Sequence, residues 1–201
     1  MSRLVVVSNR VADPRKTAAG GLAVALGQAL ERSGGLWFGW SGHITEGGTP
    51  GEGELHLQQA GAVQLATVDL SREDHDSYYL NYSNGVLWPV LHNRLDLADF
   101  DAGGFAGYQR VNRLFAQRLK ALLRPDDIVW VHDYHLMPLA AELRAMGCEQ
   151  RMGFFLHVPL PPPQLLAALP ESDRLMRSLF AYDVVGFQSR NDVAHFSRYV
   201  G

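Results

Sequence analysis

Leu4-Val5-Val6-Val7-Ser8-Asn9-Arg10 is the stretch that decides the fold. Four consecutive apolar residues, three of them β-branched, read as a strand buried on both faces. A polar run over 8–19 follows, then Gly20-Gly21. Residues 22–32 then carry apolar side chains at Leu22, Leu26, Ala29 and Leu30, which is helical spacing. Strand, glycine-bearing loop and helix in that order open an α/β sheet.

Outward from this unit the pattern repeats. Short apolar runs predict strands over 36–40, 62–69, 128–131, 152–156 and 184–187. Ser71-Arg72-Glu73-Asp74 resembles a capping box opening a helix towards Tyr82. Tyr108, Val111, Phe115, Leu119 and Leu122 form one stripe, which predicts a helix over 105–123, ended by Pro125 and Asp126. Further helices are expected over 136–146, with Gly147 as the C′ residue, and over 165–180, broken near Pro170. A last one is capped by Ser189 and Asp192. Apolar strands alternating with amphipathic helices predict a doubly wound, mainly parallel, Rossmann-like α/β sheet.

Composition bounds the function. The chain has 201 residues, 47% hydrophobic and 19% charged, enough for one packed domain. A net charge of −3 gives no basic surplus for nucleic acid or an anionic membrane. No apolar run approaches the ~20 residues of a membrane-spanning helix. Cys148 is the single cysteine, so no internal disulfide forms and a cytoplasmic location is expected. The patch Gly42–Gly53 has five glycines and reads as a flexible surface loop.

In parallel sheets, ligands bind beyond the C-terminal strand ends. That rule selects Ser8-Asn9-Arg10, His132-Asp133, His157 and Gln188. Arg10 and the free amides at Gly20-Gly21 suit a phosphate, though a tight turn beside a solvated arginine reads equally well. Asp133 is either a helix cap or a carboxylate at the rim; with His132, His135 and His157 it is also a conceivable metal ligand. His157 is either a satisfied structural histidine or a group pre-organised by the stiff segment from Pro159 to Pro163. Tyr78, Tyr79, Asn84 and Trp88 are either core or a sugar-facing wall.

Taken together the segments resemble the trehalose-6-phosphate synthases, retaining glycosyltransferases of the GT-B fold. The strings that carry the resemblance are Leu4 to Arg10, Gly20-Gly21-Leu22, Gly35-Leu36-Trp37-Phe38-Gly39-Trp40-Ser41-Gly42, Tyr78-Tyr79, Ser83-Asn84 with Leu87-Trp88-Pro89, Trp130 with His132-Asp133-Tyr134-His135-Leu136, Gly153-Phe154-Phe155-Leu156-His157 and Gly186-Phe187-Gln188. The resemblance implies that Arg10, Tyr79, Trp88 and Asp133 hold the acceptor, glucose 6-phosphate. It implies that Gly20, Gly21 and His157 contact the donor, UDP-glucose. Asp133 and His157 are then orienting groups at the reacting centre and neither is a covalent nucleophile; no catalytic metal or other cofactor is implied.

The resemblance also implies that residues 1–201 are the acceptor-side N-terminal lobe. The C-terminal nucleotide-sugar lobe is then missing, and the chain alone is expected to be inactive. A lone lobe exposes its interdomain face, so self-association into a homo-oligomer is expected. Small departures are Leu91, Asn93 and Leu160, where the family more often has aromatic residues. Competing readings are a pseudo-glycosyltransferase acting on cyclitol phosphates, a non-catalytic sugar-phosphate-binding module, and a metal-dependent hydrolase built on His132, Asp133, His135 and His157.

Overall fold

The computed structural model describes residues 2–11, 21–100 and 102–201. Seven strands form one sheet: β1 (Leu4–Arg10), β2 (Gly35–Thr45), β3 (Leu55–Ala60), β4 (Val63–Ser71), β5 (Ile128–His132), β6 (Arg151–Leu156) and β7 (Val184–Phe187). Their order is β3-β4-β2-β1-β5-β6-β7. All pairs are parallel except β3 with β4. From β1 the chain winds outward through β2 and β4, returns beside β1 as β5, and winds the other way. The switch lies between β1 and β5, where a crevice opens past the strand ends.

The opening run behaves as its composition dictates. Val5, Val6 and Val7 are fully buried. Val5 and Val7 enter the larger core, with Phe38, Tyr108 and Phe115, while Val6 joins a smaller one with Leu26, Leu30 and Trp37. One helix, α1 (Gly21–Ser33), contributes Leu26 and Leu30 to the smaller core. The larger core is covered by α4 (Ala102–Lys120) and by a bent helical run built from α2 (Arg72–Asp74), a π-helix (His75–Leu87) and α3 (Trp88–Leu91).

Several expectations need correcting. The strand β3 is an antiparallel edge that the sequence hides, because most of its side chains are solvent-facing and Leu57 is 52% exposed. The patch over 42–53 is not a loose loop. β2 runs on to Thr45, Arg118 Nε donates to the Gly53 carbonyl at 2.9 Å, and the Gly51 N–H donates to Asp74 Oδ2 at 2.7 Å. The helix expected over 136–146 is split by Pro138, which lacks the amide a continuing helix needs. A 3₁₀ turn (Tyr134–Leu136) precedes it and α5 (Leu139–Ala145) follows. The helix over 105–123 gives way at Lys120 to a turn in which the Leu122 N–H reaches the Leu119 carbonyl.

Other signals hold. Gly147 takes φ 82° after α5. The helix over 165–180 is broken around Pro170 into α6 (Pro163–Leu166) and α7 (Ser172–Ser178). α8 (Arg190–Val200) opens with a reciprocal Ser189–Asp192 capping box. Among the described residues no helix is long and apolar enough to cross a membrane.

Candidate functional site

The crevice past the ends of β1, β5 and β6 collects the polar residues that the strand-end rule selects. At β1, the Ser8 hydroxyl accepts the Trp37 indole N–H at 2.8 Å and donates to the Arg10 carbonyl at 2.9 Å, which fixes the turn out of the strand. Asn9 Oδ1 accepts the buried Tyr78 hydroxyl at 2.7 Å. Arg10 is exposed; its guanidinium lies over the Trp40 ring, 5.5 Å from the centroid, and beside Gly42.

The second wall comes from the helical run over 72–91. Ser71 caps it as expected, its side chain accepting the Asp74 N–H at 3.1 Å. The π-helix that follows was not legible in the sequence. Wider turns of this kind recur where side chains must be re-aimed at a functional site. Here Tyr78 points into the core and Tyr79 stacks on His135, ring centroids 5.8 Å apart and planes 17° apart. Tyr79 also lies against Trp40 and His75. Trp88, at the start of α3, is 42% exposed and stacked on His92. Asn84 Oδ1 accepts the Tyr134 hydroxyl at 3.2 Å, tying this wall to β5.

Asp133 stands at the centre. It has φ 75° and ψ 165°, a region that essentially only glycine enters without strain. Its N–H donates to the Phe155 carbonyl at 2.9 Å, and its Oδ1 accepts the N–H groups of Tyr134 at 3.0 Å and His157 at 3.2 Å. The cap reading of Asp133 holds, since its side chain accepts the Tyr134 N–H that opens the 3₁₀ turn, just past the end of β5. Burial pushes its carboxyl pKa up, against the pull of those N–H groups and of His157.

His157 follows the last residue of β6 and leads into the proline-rich segment. That segment is pinned, because the Leu160 N–H donates to Asp192 Oδ1 at 3.0 Å and the Leu160 carbonyl lies 2.7 Å from His195 Nδ1. Burial lowers the His157 pKa, while the Asp133 charge raises it. Gln188, past β7, donates through Nε2 to the His157 carbonyl at 2.6 Å. Nε2 of His157 lies 2.9 Å from Nδ1 of His132.

Of the four residues of the conceivable metal set, His132 and His157 turn ring nitrogens on each other, and His135 is stacked between Tyr79 and Tyr134. Among the described residues no group of three or more His, Cys, Asp or Glu side chains is arranged to hold a metal ion. Of the donor-side candidates, Gly21 is the first residue of α1, and Gly20 lies outside the described residues. Asn9, Trp40 and Gly42 sit at the site without having been assigned a part. The strand-end rule and the resembling Leu4 to Arg10 string pointed at Asn9, and only the resembling Trp40-Ser41-Gly42 string pointed at the other two.

The doubly wound, mostly parallel lobe is that of the N-terminal half of a GT-B glycosyltransferase. Residues 4–200 match glycosyltransferase family 20, and the chain belongs to that family. It is 51% identical over 198 residues to the trehalose-6-phosphate synthase of Cronobacter sakazakii, covering 98% of this chain and 41% of that protein. An alpha,alpha-trehalose-phosphate synthase (UDP-forming) from Burkholderia xenovorans, solved in complex with glucose-6-phosphate, superposes with a TM-score of 0.93. It is 47% identical and covers 99% of this chain and 43% of its own. The trehalose-6-phosphate enzyme from E. coli bound with UDP-2-fluoro glucose gives a TM-score of 0.88 at 48% identity, covering 99% of this chain and 42% of its own. The chain thus spans about two fifths of the length of the relatives it matches.

Proposed function

We propose that this chain forms the acceptor wall of an enzyme that moves glucose from UDP-glucose to the anomeric hydroxyl of glucose 6-phosphate. The products are α,α-trehalose 6-phosphate and UDP, with retention of configuration. The observation that carries the reading is Asp133, a half-buried carboxylate held in strained backbone at the switch point of a family 20 fold. Strain of this kind persists where a site needs the geometry.

In this reading Arg10 meets the acceptor phosphate with its planar fork of donors. Tyr79 and Trp88 present ring faces to the acceptor sugar, and the Asp133 carboxylate accepts from its hydroxyls. His157 orients the donor glucose. The amides opening α1 meet the charge that develops on the departing diphosphate, so the reaction needs no metal. Front-face attack with the leaving phosphate oxygen taking the acceptor proton asks the protein for positioning rather than for a nucleophile. The rest of the nucleotide site comes from a second lobe, as in relatives more than twice this length. The reading sets the enzyme in the cytoplasm, in keeping with the unpaired thiol of Cys148.

The test is Arg10→Ala in the full-length protein, followed by trehalose 6-phosphate formation. Loss of a hydrogen-bonded charge at an exposed residue is worth about 1.5–3 kcal/mol. The exposure of Arg10 puts it below the figure for a buried ion pair. An unchanged KM for glucose 6-phosphate removes Arg10 from the site. A product formed with cyclitol phosphates and not with glucose 6-phosphate overturns the reaction itself.

A further inference from the structure

His132 and His157 share one proton-bearing contact, Nδ1 of the first to Nε2 of the second at 2.9 Å. They come from adjacent parallel strands. His132 pairs with Phe155 in the sheet register, and His157 lies two residues further along the β6 side. His132 is 1% exposed, its ring centroid 4.4 Å from that of Trp130 and 5.2 Å from that of His157. Its Nε2 is buried and has no hydrogen-bond partner among the described residues.

Two arrangements of protons fit a 2.9 Å contact between neutral rings. In one, His157 donates and His132 accepts, which leaves the His132 proton on Nε2 as a buried N–H with no acceptor. In the other, His132 donates from Nδ1 and leaves only a bare lone pair buried at Nε2. An orphaned buried N–H is the costlier and rarer defect. The second arrangement therefore holds, and it fixes both rings.

We infer that His132 is a positioning residue that sets the tautomer of His157, so that His157 Nε2 is bare and Nδ1–H is the one donor this imidazole offers to the crevice. The tautomer of a histidine follows from the bond its other nitrogen makes. Burial holds His132 neutral, its pKa pushed down to about 3, so it carries a single ring proton at neutral pH. His157 is held from the opposite side as well, through its N–H on Asp133 Oδ1 and its carbonyl on Gln188 Nε2. Backbone and ring are thus both fixed before any ligand arrives. The tautomer assignment stands on the contact geometry; its use in orienting the donor sugar rests on the function proposed above.

The experiment is a long-range proton–nitrogen correlation spectrum of the chain labelled at histidine nitrogen, at neutral pH, for the parent, His132→Asn and His132→Phe. The parent is expected to show a protonated Nδ1 and a bare Nε2 on His157. Asn keeps a donor near the place of Nδ1, so His132→Asn retains that tautomer. Phe removes the donor, so His132→Phe releases His157 to the other tautomer or to a mixture. A parent in which His157 is protonated on Nε2 overturns the inference without any variant having to fold. So does a folded His132→Phe protein with the His157 tautomer unchanged.

Glucosyl transfer by the full-length protein separates this inference from the functional one. Loss of an orienting partner lowers kcat on the order of ten- to a hundredfold in His132→Phe, with rescue in His132→Asn. A parent with the expected tautomer and no trehalose 6-phosphate product leaves the His132 assignment standing and removes the proposed function.

Discussion

The Oδ1 atom of Asp133 accepts the backbone N–H of His157 at 3.2 Å, so the carboxylate at the end of β5 holds the residue at the end of β6 by its main chain. The same oxygen takes the Tyr134 N–H, and the Asp133 amide is spent on Phe155. These bonds over-determine the unusual backbone at Asp133, with φ 75° and ψ 165°. Replacing the side chain separates strain from hydrogen bonding. Asp133→Ala and Asp133→Gly lose the same bonds, but only glycine relaxes the backbone. Relief of about 1–3 kcal/mol of strain, less about 0.4–1 kcal/mol for the freer unfolded chain, leaves Asp133→Gly more stable than Asp133→Ala by about 1 kcal/mol. Urea unfolding of the two variants measures it, and an alanine variant equal to or above glycine shows that the site is unstrained. Both variants lose transfer activity in the full-length protein.

Gly42 has φ 87°, and a Cβ added there would lie 2.7 Å from Arg10 Cζ, inside the guanidinium. Trp40 bounds the same group on its other side. Gly42→Ala therefore moves Arg10 without touching its charge. A misplaced phosphate contact worth about 1.5–3 kcal/mol raises the KM for glucose 6-phosphate roughly ten- to a hundredfold, with kcat at saturation little changed. Steady-state kinetics on the full-length protein decide this. A fall in kcat at unchanged KM would mean that Arg10 serves the reacting centre and not acceptor binding.

Much of this arrangement is legible in the amino-acid sequence. The Val5-Val6-Val7 run has no wet face to hide, and Tyr108, Val111, Phe115 and Leu119 repeat at helical spacing, so together they announce an α/β sheet. The strand ends then nominate Arg10, Asp133 and His157 by position alone. β3 was not legible because its Leu55-His56-Leu57-Gln58 alternation is brief and runs into a second glutamine, as suits an edge strand whose side chains mostly face solvent. The π-helix was not legible because its widening is imposed by packing, with Tyr78 drawn onto Asn9 and Tyr79 onto His135. The His132–His157 contact depends on the β5–β6 register, which no local spacing encodes.

His132 and His135 are buried and neutral, each with its pKa lowered from 6.5 to about 3 by burial. The unfolded chain takes up these protons near pH 6.5, and the folded chain only near pH 3. Between those values the unfolded state binds more protons, so stability rises with pH and is lost as pH falls. The slope approaches about 1.4 kcal/mol per pH unit for each histidine. Chemical unfolding of the chain between pH 7 and pH 4.5 reads this ahead of most carboxylate titration. His135→Phe removes one of these groups and lowers the slope by up to about 1.4 kcal/mol per pH unit, leaving His132, His157 and Asp133 to set the remainder. An identical slope means that His135 is protonated in the folded chain or solvated.

Gly186 faces Phe155 across the β6–β7 pair, and a Cβ at Gly186 would come within 2.7 Å of the Phe155 ring. That ring in turn lies 4.7 Å from the His157 imidazole. The glycine is the floor on which Phe155 rests, and Phe155 is one wall beside His157. Gly186→Ala overpacks this stack and costs about 1–3 kcal/mol of stability, because a close-packed side chain can only move into its neighbours. The displaced ring then disturbs His157, so kcat in the full-length protein falls while acceptor KM, set on the far side of β5, stays near the parent value. Phe155→Leu removes the ring atoms that clash. Combined with Gly186→Ala it destabilises by less than the sum of the two changes, with a coupling of about 0.5–3 kcal/mol. A double-mutant cycle on unfolding free energy gives that coupling directly. Strict additivity would show that the two residues do not meet and that the glycine before Phe187 is needed for some reason other than the position of His157.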